Sequence, residues 1–305
     1  MAHLEKTISE ERTIQEQRTA GGLKPSSAPV IKAFRDFSII RQMPTFGSEA
    51  DIYLVEKEEK KNILKLYRFG SDPVLEVMEK VREVSFSHPG SVVRIDESGF
   101  DDETGRYFEI MEYAEDGSLR DLWPSGETPP LENIREVVAE MIKGLSALHA
   151  NHLLHMDLKP SNILVRRRKP LNLIFTDFGI SSIIDEEISR KMTIKLKGTP
   201  SYWSPEAFTQ VVGFESDFWS MGMIILELLC GRHPLQGLDM RVIMYTLSTK
   251  GMKIPDNLPD EWALLLKGLL TRDPRKRWGE EQLKLWIAGK RDIPVAYDYR
   301  DEPGR

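Results

Sequence analysis

At Asp116 the hydrophobic pattern of this chain changes period, and that change limits the folds open to it. Upstream, from about Phe37, the runs FSIIRQMPTF, ADIYLVEKE, KNILKLYRF, SVVRIDESG and YFEIMEY are short and rich in β-branched and aromatic residues. Polar turns separate them, as turns separate strands. One helical stretch interrupts the series. In DPVLEVMEKVREVS, Val74, Leu75, Met78, Val81 and Ser85 share a helical face. Downstream, LENIREVVAEMIKGLSALHANH and SDFWSMGMIILELLCG carry apolar residues at helical spacing. A strand-rich lobe of about 80 residues followed by a helix-rich lobe predicts an α+β protein with a cleft between the lobes.

Composition narrows the class further. Of 305 residues, 40% are hydrophobic and 30% charged, which suits a globular chain and excludes a wholly disordered one. The 42 Lys and Arg against 48 Asp and Glu leave a net charge of −6, which argues against broad nucleic-acid binding. A single cysteine, Cys230, excludes an internal disulfide framework and a multi-cysteine metal site. The opening MAHLEKTISEER has no apolar run and does not read as a secretory signal. The segment MGMIILELLC is too short to span a membrane and contains Glu227, so no membrane contact is expected and the chain reads as cytoplasmic. The expected organisation is a polar arm and linker over 1–36, a two-lobed domain over 37–289 and a tail over 290–305 that caps or trails off the fold. The lobes divide near 114/115. The arm reads as a frayed or disordered segment, with docking of a regulatory partner as the alternative.

The chemistry concentrates in His155-Met156-Asp157-Leu158-Lys159-Pro160-Ser161-Asn162. Such spacing suits a loop that offers a carboxylate to a hydroxyl, a cation to a phosphate and an amide oxygen to a metal. Thr176-Asp177-Phe178-Gly179 follows the apolar run LNLIF. A second carboxylate at a strand end, followed by glycine, suits a divalent metal ligand. Magnesium accepts so sparse an oxygen set because water and phosphates complete its shell.

These segments resemble the catalytic loop and metal-binding motif of the eukaryotic-type (Hanks-type) protein serine/threonine kinases. Within that family the sparse glycine loop is more similar to bacterial members than to animal ones. Three more motifs follow in the family's order: Gly198-Thr199-Pro200-Ser201-Tyr202-Trp203-Ser204-Pro205-Glu206, Asp217-Phe218-Trp219-Ser220-Met221-Gly222 and Arg272-Asp273-Pro274-Arg275-Lys276-Arg277. The resemblance implies a two-lobed protein kinase fold, ATP and Mg2+ as cofactors, and protein substrates bearing Ser or Thr. It makes Asp157, Lys159 and Thr199 catalytic, and Asn162 and Asp177 the magnesium ligands. It gives Lys65 the α- and β-phosphates, and places adenine between Ile52 and Leu164, against Met111 and the backbone of Glu112 and Ala114. Arg277 should pair with Glu206, and His155 should pack under Phe178 rather than act as a base.

Several positions depart from the family pattern. Of the glycine-rich loop only Gly47 remains, with Thr45 and Ala50 at the outer positions. Ile63 replaces a small residue beside the adenine. The carboxylate that should pair with Lys65 from the helix near 74–85 is assigned to Glu79, with Glu76 as runner-up, although Glu83 then occupies a usually apolar position. Met156 stands where many kinases carry Arg, and Lys195 where many carry a phosphorylated threonine. Both remove parts of a phosphate switch, leaving Ser189 and Thr193 as candidate modification sites. Leu196, Pro200 and Trp203 are expected to form an apolar pocket for the residue after the acceptor. The basic run Arg166-Arg167-Arg168-Lys169 reads as a solvated strand turn. A catalytically silent pseudokinase, or a small-molecule phosphotransferase of kinase-like fold, are the alternative functions.

Overall fold

The computed structural model describes residues 32–44, 49–184, 190–192 and 198–299. Six strands form one antiparallel sheet: β1 (Ala33–Phe34), β2 (Phe37–Gln42), β3 (Ala50–Lys57), β4 (Lys60–Tyr67), β5 (Ile95–Asp101) and β6 (Arg106–Glu112). Their order is β1-β2-β3-β4-β6-β5. Strand alternation divides their side chains between two faces. On one face Leu64 and Leu66 join Tyr53, Val55, Phe108, Ile110 and Phe34 in a small apolar core. On the other face Ile63, Lys65 and Tyr67 stand opposite Met111 and Glu109, since Ile63 pairs with Met111 and Lys65 with Glu109. The lobe begins earlier than the expected boundary at 37. Phe34 is buried with its ring centroid 5.1 Å from that of Phe108, so the sheet already includes part of the assigned arm.

Helix α1 (Leu75–Ser87) lies beside the sheet. Its buried residues are Val77, Met78, Val81, Val84 and Ser85, whereas Val74 and Leu75 are 60% and 46% exposed. Positions 78, 81 and 85 of the expected face are buried, but the face continues through Val77 and Val84 rather than through Val74 and Leu75. The run Val77-Val81-Val84 packs into the main core, which favours β-branched residues facing the sheet over the two at the helix start.

The larger lobe contains α2 (Leu119–Leu122), α3 (Leu131–His149), α4 (Phe214–Cys230), α5 (Met240–Tyr245), α6 (Asp260–Leu269) and α7 (Glu280–Ile287). Helix α4 is buried on all sides from Ser216 to Leu228, as its nearly unbroken apolar sequence requires. It stops at Gly231, whose φ of +70° supplies the left-handed C-terminal turn. Among the described residues no helix is long and apolar enough to cross a membrane.

Small strands complete the lobe: β7 (Leu153–Leu154), β8 (Ile163–Arg168), β9 (Leu171–Phe175), β10 (Ser182–Ile183), β11 (Arg190–Met192) and β12 (Val211–Gly213). The segment after α7 does not trail away. Ile293 is buried, Trp278 Nε1 donates to Pro294 O at 2.8 Å, and Arg272 Nε donates to Asp298 at 3.3 Å.

Arg277 ties this lobe together. Its side chain has no exposure and meets Glu206 with both terminal nitrogens, at 2.7 and 2.9 Å. It also donates to the carbonyls of Thr271 and Glu215 and lies 5.0 Å from the Trp219 ring centroid. Removing either partner strands a buried charge, which typically costs about 3–5 kcal/mol. Glu206→Ala and Arg277→Ala are therefore expected to lower the melting temperature substantially. Melting curves like the parent's would contradict a stabilising role for the pair.

Candidate active site

The β8–β9 hairpin brings two of the motifs together. Ile163 pairs with Phe175, so Asn162 and Thr176 leave the hairpin side by side, and Thr176 N donates to Asn162 O at 3.0 Å. Asp177 follows at once. Asn162 donates Nδ2 to Asp157 O at 2.8 Å and to Asp157 Oδ2 at 3.0 Å. An amide that spends its NH2 group inward presents its oxygen as the remaining acceptor.

Asp157 is the centre of a compact polar group. Lys159 Nζ lies 2.7 Å from Asp157 Oδ2 and 3.0 Å from Thr199 Oγ1. Thr199 N donates to Asp157 Oδ1 at 3.1 Å. The preceding residue must be glycine on two counts. Gly198 has φ +108°, and a Cβ there would stand 2.8 Å from Asp157 Oδ1. Asp157, Lys159 and Thr199 thus meet as the motifs lead one to expect.

The loop that carries them is pinned from below by Asp217 of α4. This carboxylate is 1% exposed and accepts from His155 N and Met156 N, each at 3.0 Å, and contacts His149 Nε2 at 2.9 Å. Burial pushes its carboxyl up, but those hydrogen bonds and the nearby imidazoles outweigh burial and leave it below the usual range. Met156 and Asp177 both adopt left-handed backbone, with φ of +67° and +64°. Such residues persist only where the surroundings hold them, which the Asp217 hydrogen bonds do for Met156. His155 is buried, stacks 4.9 Å from Phe178 and holds Thr176 O at 3.0 Å through Nε2. Burial depresses its pKa, in keeping with a packed, neutral ring.

Lys65 is 5% exposed, and its Nζ lies 2.8 Å from Asp177 Oδ1. Burial alone would favour the neutral amine, but the Asp177 carboxylate and its neighbours reverse that and hold the ammonium well above its ordinary value. The same contact lowers Asp177 to about 2. The expected helix partner does not reach this cluster. Glu79, Glu76 and Glu83 are all exposed, and Glu83 pairs with Lys80 at 3.4 Å instead. The apolar face of α1 explains why: Val77, Met78 and Val81 take the inward positions.

A carboxylate that the motifs do not mark stands nearby. Glu109 is 6% exposed, lies directly across the strand pair from Lys65, and accepts from Tyr67 Oη at 3.0 Å. Burial raises its pKa, against the pull of Lys65 and the Tyr67 hydroxyl. Its signal in the sequence is a lone acid inside the apolar run Phe108-Glu109-Ile110-Met111. A third acid approaches from the start of β3. A Cβ on Gly179 would stand 2.9 Å from Glu49 Oε2 and 3.5 Å from Lys65 Nζ, which places both groups beside this glycine.

Ile52, Ile63 and Leu164 are half-buried and Met111 and Ala114 buried, giving the cleft apolar walls beside the strand end at Glu112. Glu112 directs its side chain away from that role. It accepts from Arg94 N at 2.6 Å and pairs with Arg166. Arg168 reaches Asp116 at 2.6 Å. The basic run is thus partly a set of ties to the strand connecting the lobes, not a fully solvated turn. Trp203 also departs from expectation. It is buried with Leu154, Ile184, Ala207 and Val212 and does not face a substrate groove. Gly47, Thr45, Ser189, Thr193, Lys195 and Leu196 lie outside the described residues.

A family model described as "Protein kinase domain" matches residues 47–285. A cell cycle serine/threonine-protein kinase of Saccharomyces cerevisiae is 31% identical over 63% of this chain and 27% of its own length. A probable myosin light chain kinase of Dictyostelium discoideum is 27% identical over 77% of this chain and 78% of its own. A ribosomal protein S6 kinase of Xenopus laevis is 30% identical over 80% of this chain and 34% of its own. The chain therefore spans about a quarter to a third of the yeast and frog proteins.

The depressed Asp177 carboxyl has a defined pH signature. A carboxylate held at about 2, against about 3.9 in an unfolded chain, favours the folded state fully above the higher value and loses that contribution as pH falls through the lower one. Carboxyl NMR titration is expected to find Asp177 ionised throughout the neutral range. In Lys65→Met its pKa should rise, because the main cause of the depression is gone. An unchanged value would show that Lys65 does not set it.

Proposed function

The chain belongs to the protein kinase family, and from that premise we propose that it transfers the γ-phosphate of magnesium-ATP to serine or threonine hydroxyls of proteins in the cytoplasm. The observation that carries this reading is the Asp157, Lys159, Thr199 and Asn162 cluster, already assembled at the mouth of the cleft. The oxygen set fits magnesium. The Asn162 amide oxygen accepts only a long 3.4 Å bond from Ser161 Oγ, and the Asp177 side chain, just after the hairpin, is 45% exposed. When bound, the metal neutralises charge on the phosphates and orients them.

The chain's own residues do the rest. Asp157 orients the acceptor hydroxyl and takes its proton as the oxygen bonds to the γ-phosphorus. Lys159, braced by Thr199, stabilises the charge that develops on the transferred group. The bond from γ-phosphorus to the β–γ bridging oxygen breaks, and ADP leaves. Lys65 anchors the α- and β-phosphates, and Ile52, Leu164 and Met111 enclose the adenine. Beside Thr199 a cavity of about 590 Å³, with Pro200, Leu235 and Ile243 in its wall, offers an apolar seat for a substrate segment. In that wall Glu227 is engaged by Arg120 and Tyr202, each at 2.6 Å.

Separate roles predict separable defects. Asp157→Asn is expected to lower turnover by roughly 100- to 10,000-fold with nucleotide affinity nearly kept. Asp177→Asn should instead weaken magnesium-dependent nucleotide binding. Magnesium titrations of nucleotide affinity, beside initial rates on a generic protein substrate, distinguish the two. A parent protein that binds nucleotide yet phosphorylates no protein would favour the pseudokinase reading.

We infer further that activity does not wait on activation-loop phosphorylation. Met156 packs against the cluster of Leu154, Ile184, Trp203, Ala207 and Val212. This joins the catalytic loop to both flanks of the activation segment by apolar contact. An arginine at this position is a cation that needs an anion, whereas methionine carries no such demand. Phosphatase-treated enzyme, verified by mass spectrometry, is expected to retain most of its initial rate. A loss of about tenfold, regained after incubation with ATP, would count against the apolar latch.

A further inference from the structure

The Lys65 site contains a contradiction that the motifs alone do not resolve. Its only hydrogen-bonded carboxylate among the described residues is Asp177, the residue expected to face magnesium. A carboxylate shared with a divalent metal has less charge to offer a buried ammonium, and a buried ammonium without a partner is costly. The helix that should provide a second carboxylate provides none, because Glu76, Glu79 and Glu83 are exposed. The space between α1 and the sheet is lined on the helix side by Val77, Met78 and Val81, and on the sheet side by Tyr67 and Glu109.

We propose that Glu109 of strand β6, not a helix glutamate, is the positioning carboxylate that holds Lys65 toward the phosphates. The inference rests on the kinase reading given above for Lys65. Three observations support it. Lys65 and Glu109 are direct partners across adjacent antiparallel strands, so their side chains leave the same face, although no ion pair within 4.0 Å joins them. Both are almost fully buried, at 5% and 6% exposure, where an acid and a base are each retained only with a partner. Tyr67, on the same face, links them: its hydroxyl donates to Glu109 Oε2 at 3.0 Å, and Lys65 Nζ lies 5.0 Å from its ring centroid. The electron-rich ring face and the carboxylate both lie near the ammonium, in addition to Asp177. The strand register fixes Glu109 opposite Lys65 independently of the rotation of α1.

The inference makes Glu109 a positioning residue, acting through Lys65 on the nucleotide. Glu109→Gln keeps the shape and an acceptor for Tyr67 but removes the charge. It is expected to lower kcat/KM for ATP by about 10- to 100-fold, less than loss of Lys65 itself, with KM for the protein substrate little changed. Glu109→Asp should recover part of the loss, and Glu79→Gln should cost at least several-fold less than Glu109→Gln. Should Glu109→Gln fold poorly, Glu109→Asp, which withdraws the carboxylate, and Tyr67→Phe, which removes its hydroxyl donor, are each expected to lower kcat/KM for ATP by less than loss of Lys65; rates equal to the parent's in both would overturn the proposal.

A second measurement needs no catalysis. Urea unfolding without nucleotide, on the parent, Glu109→Gln, Lys65→Met and the double variant, should give non-additive changes, because the two charges share one buried face and the neighbour Tyr67. Additive changes, or a Glu79→Gln defect equal to that of Glu109→Gln, would overturn the proposal. Coupled unfolding in a protein that transfers no phosphate would sink the kinase reading and leave the Lys65–Glu109 pairing standing.

Discussion

The Asp217 carboxylate is the contact on which the catalytic geometry depends. It sits in the middle of the lobe, on a helix buried on all sides, and meets the backbone amides of His155 and Met156 rather than their side chains. A loop held by its backbone is fixed in conformation whatever side chains it bears. That permits a left-handed residue at Met156 and places Asp157 one residue further on, where Lys159, Asn162 and Thr199 converge. The same loop is continuous, through Asn162 and the hairpin that follows, with Asp177. One buried anion on a fully buried helix therefore orders the loop that carries Asp157 directly and, through Asn162 and the hairpin, the position of Asp177.

The smaller lobe uses charge differently. Lys65 lies among Asp177, Glu109 and Tyr67, with Glu49 close to Gly179, in a site buried around the ammonium but open to water at Asp177. Several acids around one base set the opposing pKa directions there. Asp177 falls because its nearest neighbour is the ammonium, while Glu109 rises because burial is not fully offset. In such a site an excess of negative charge keeps the lysine protonated and directed, at the cost of leaving one carboxylate only weakly compensated. Phosphates entering beside Lys65 would meet that excess. Magnesium at Asn162 and Asp177 would then also offset the local negative charge.

Much of this is legible in the sequence, and the parts that are not share a cause. The period change at Asp116 identifies the lobes, and the spacing of Asp157, Lys159 and Asn162 identifies a loop whose members do meet. Short-range spacing works there because all three lie within one turn of chain. Glu79 shows the limit. Its distance along the chain from His88-Pro89 does not set the rotation of α1, which follows from the packing of Val77, Val81 and Val84 against the core. Glu109 escapes notice because a strand of mixed parity reads as an apolar run. Only the register with Lys65 shows that its odd positions share a face with the lysine. Arg166 belongs to the same class: its partner Glu112 is far along the chain and invisible to local pattern. The domain's early start at Phe34 likewise depends on a ring that meets it from β6.

Two fastenings of unlike chemistry flank the activation segment. At its far end Glu206 is locked to Arg277, an ion pair whose cation has no exposure and whose remaining donors go to backbone carbonyls. Nearer the catalytic loop the contact is apolar, through Met156, Ile184 and Trp203. An ion pair with every donor satisfied is strongly directional and tolerates little displacement. A cluster of methionine, isoleucine and indole is non-directional and adapts. Glu206 is thus held by a directional ion pair, and Ile184, beside the catalytic loop, by packing. Met156 fastens the near end by packing, and its contact with Ile184 and Trp203 needs no charge at that position.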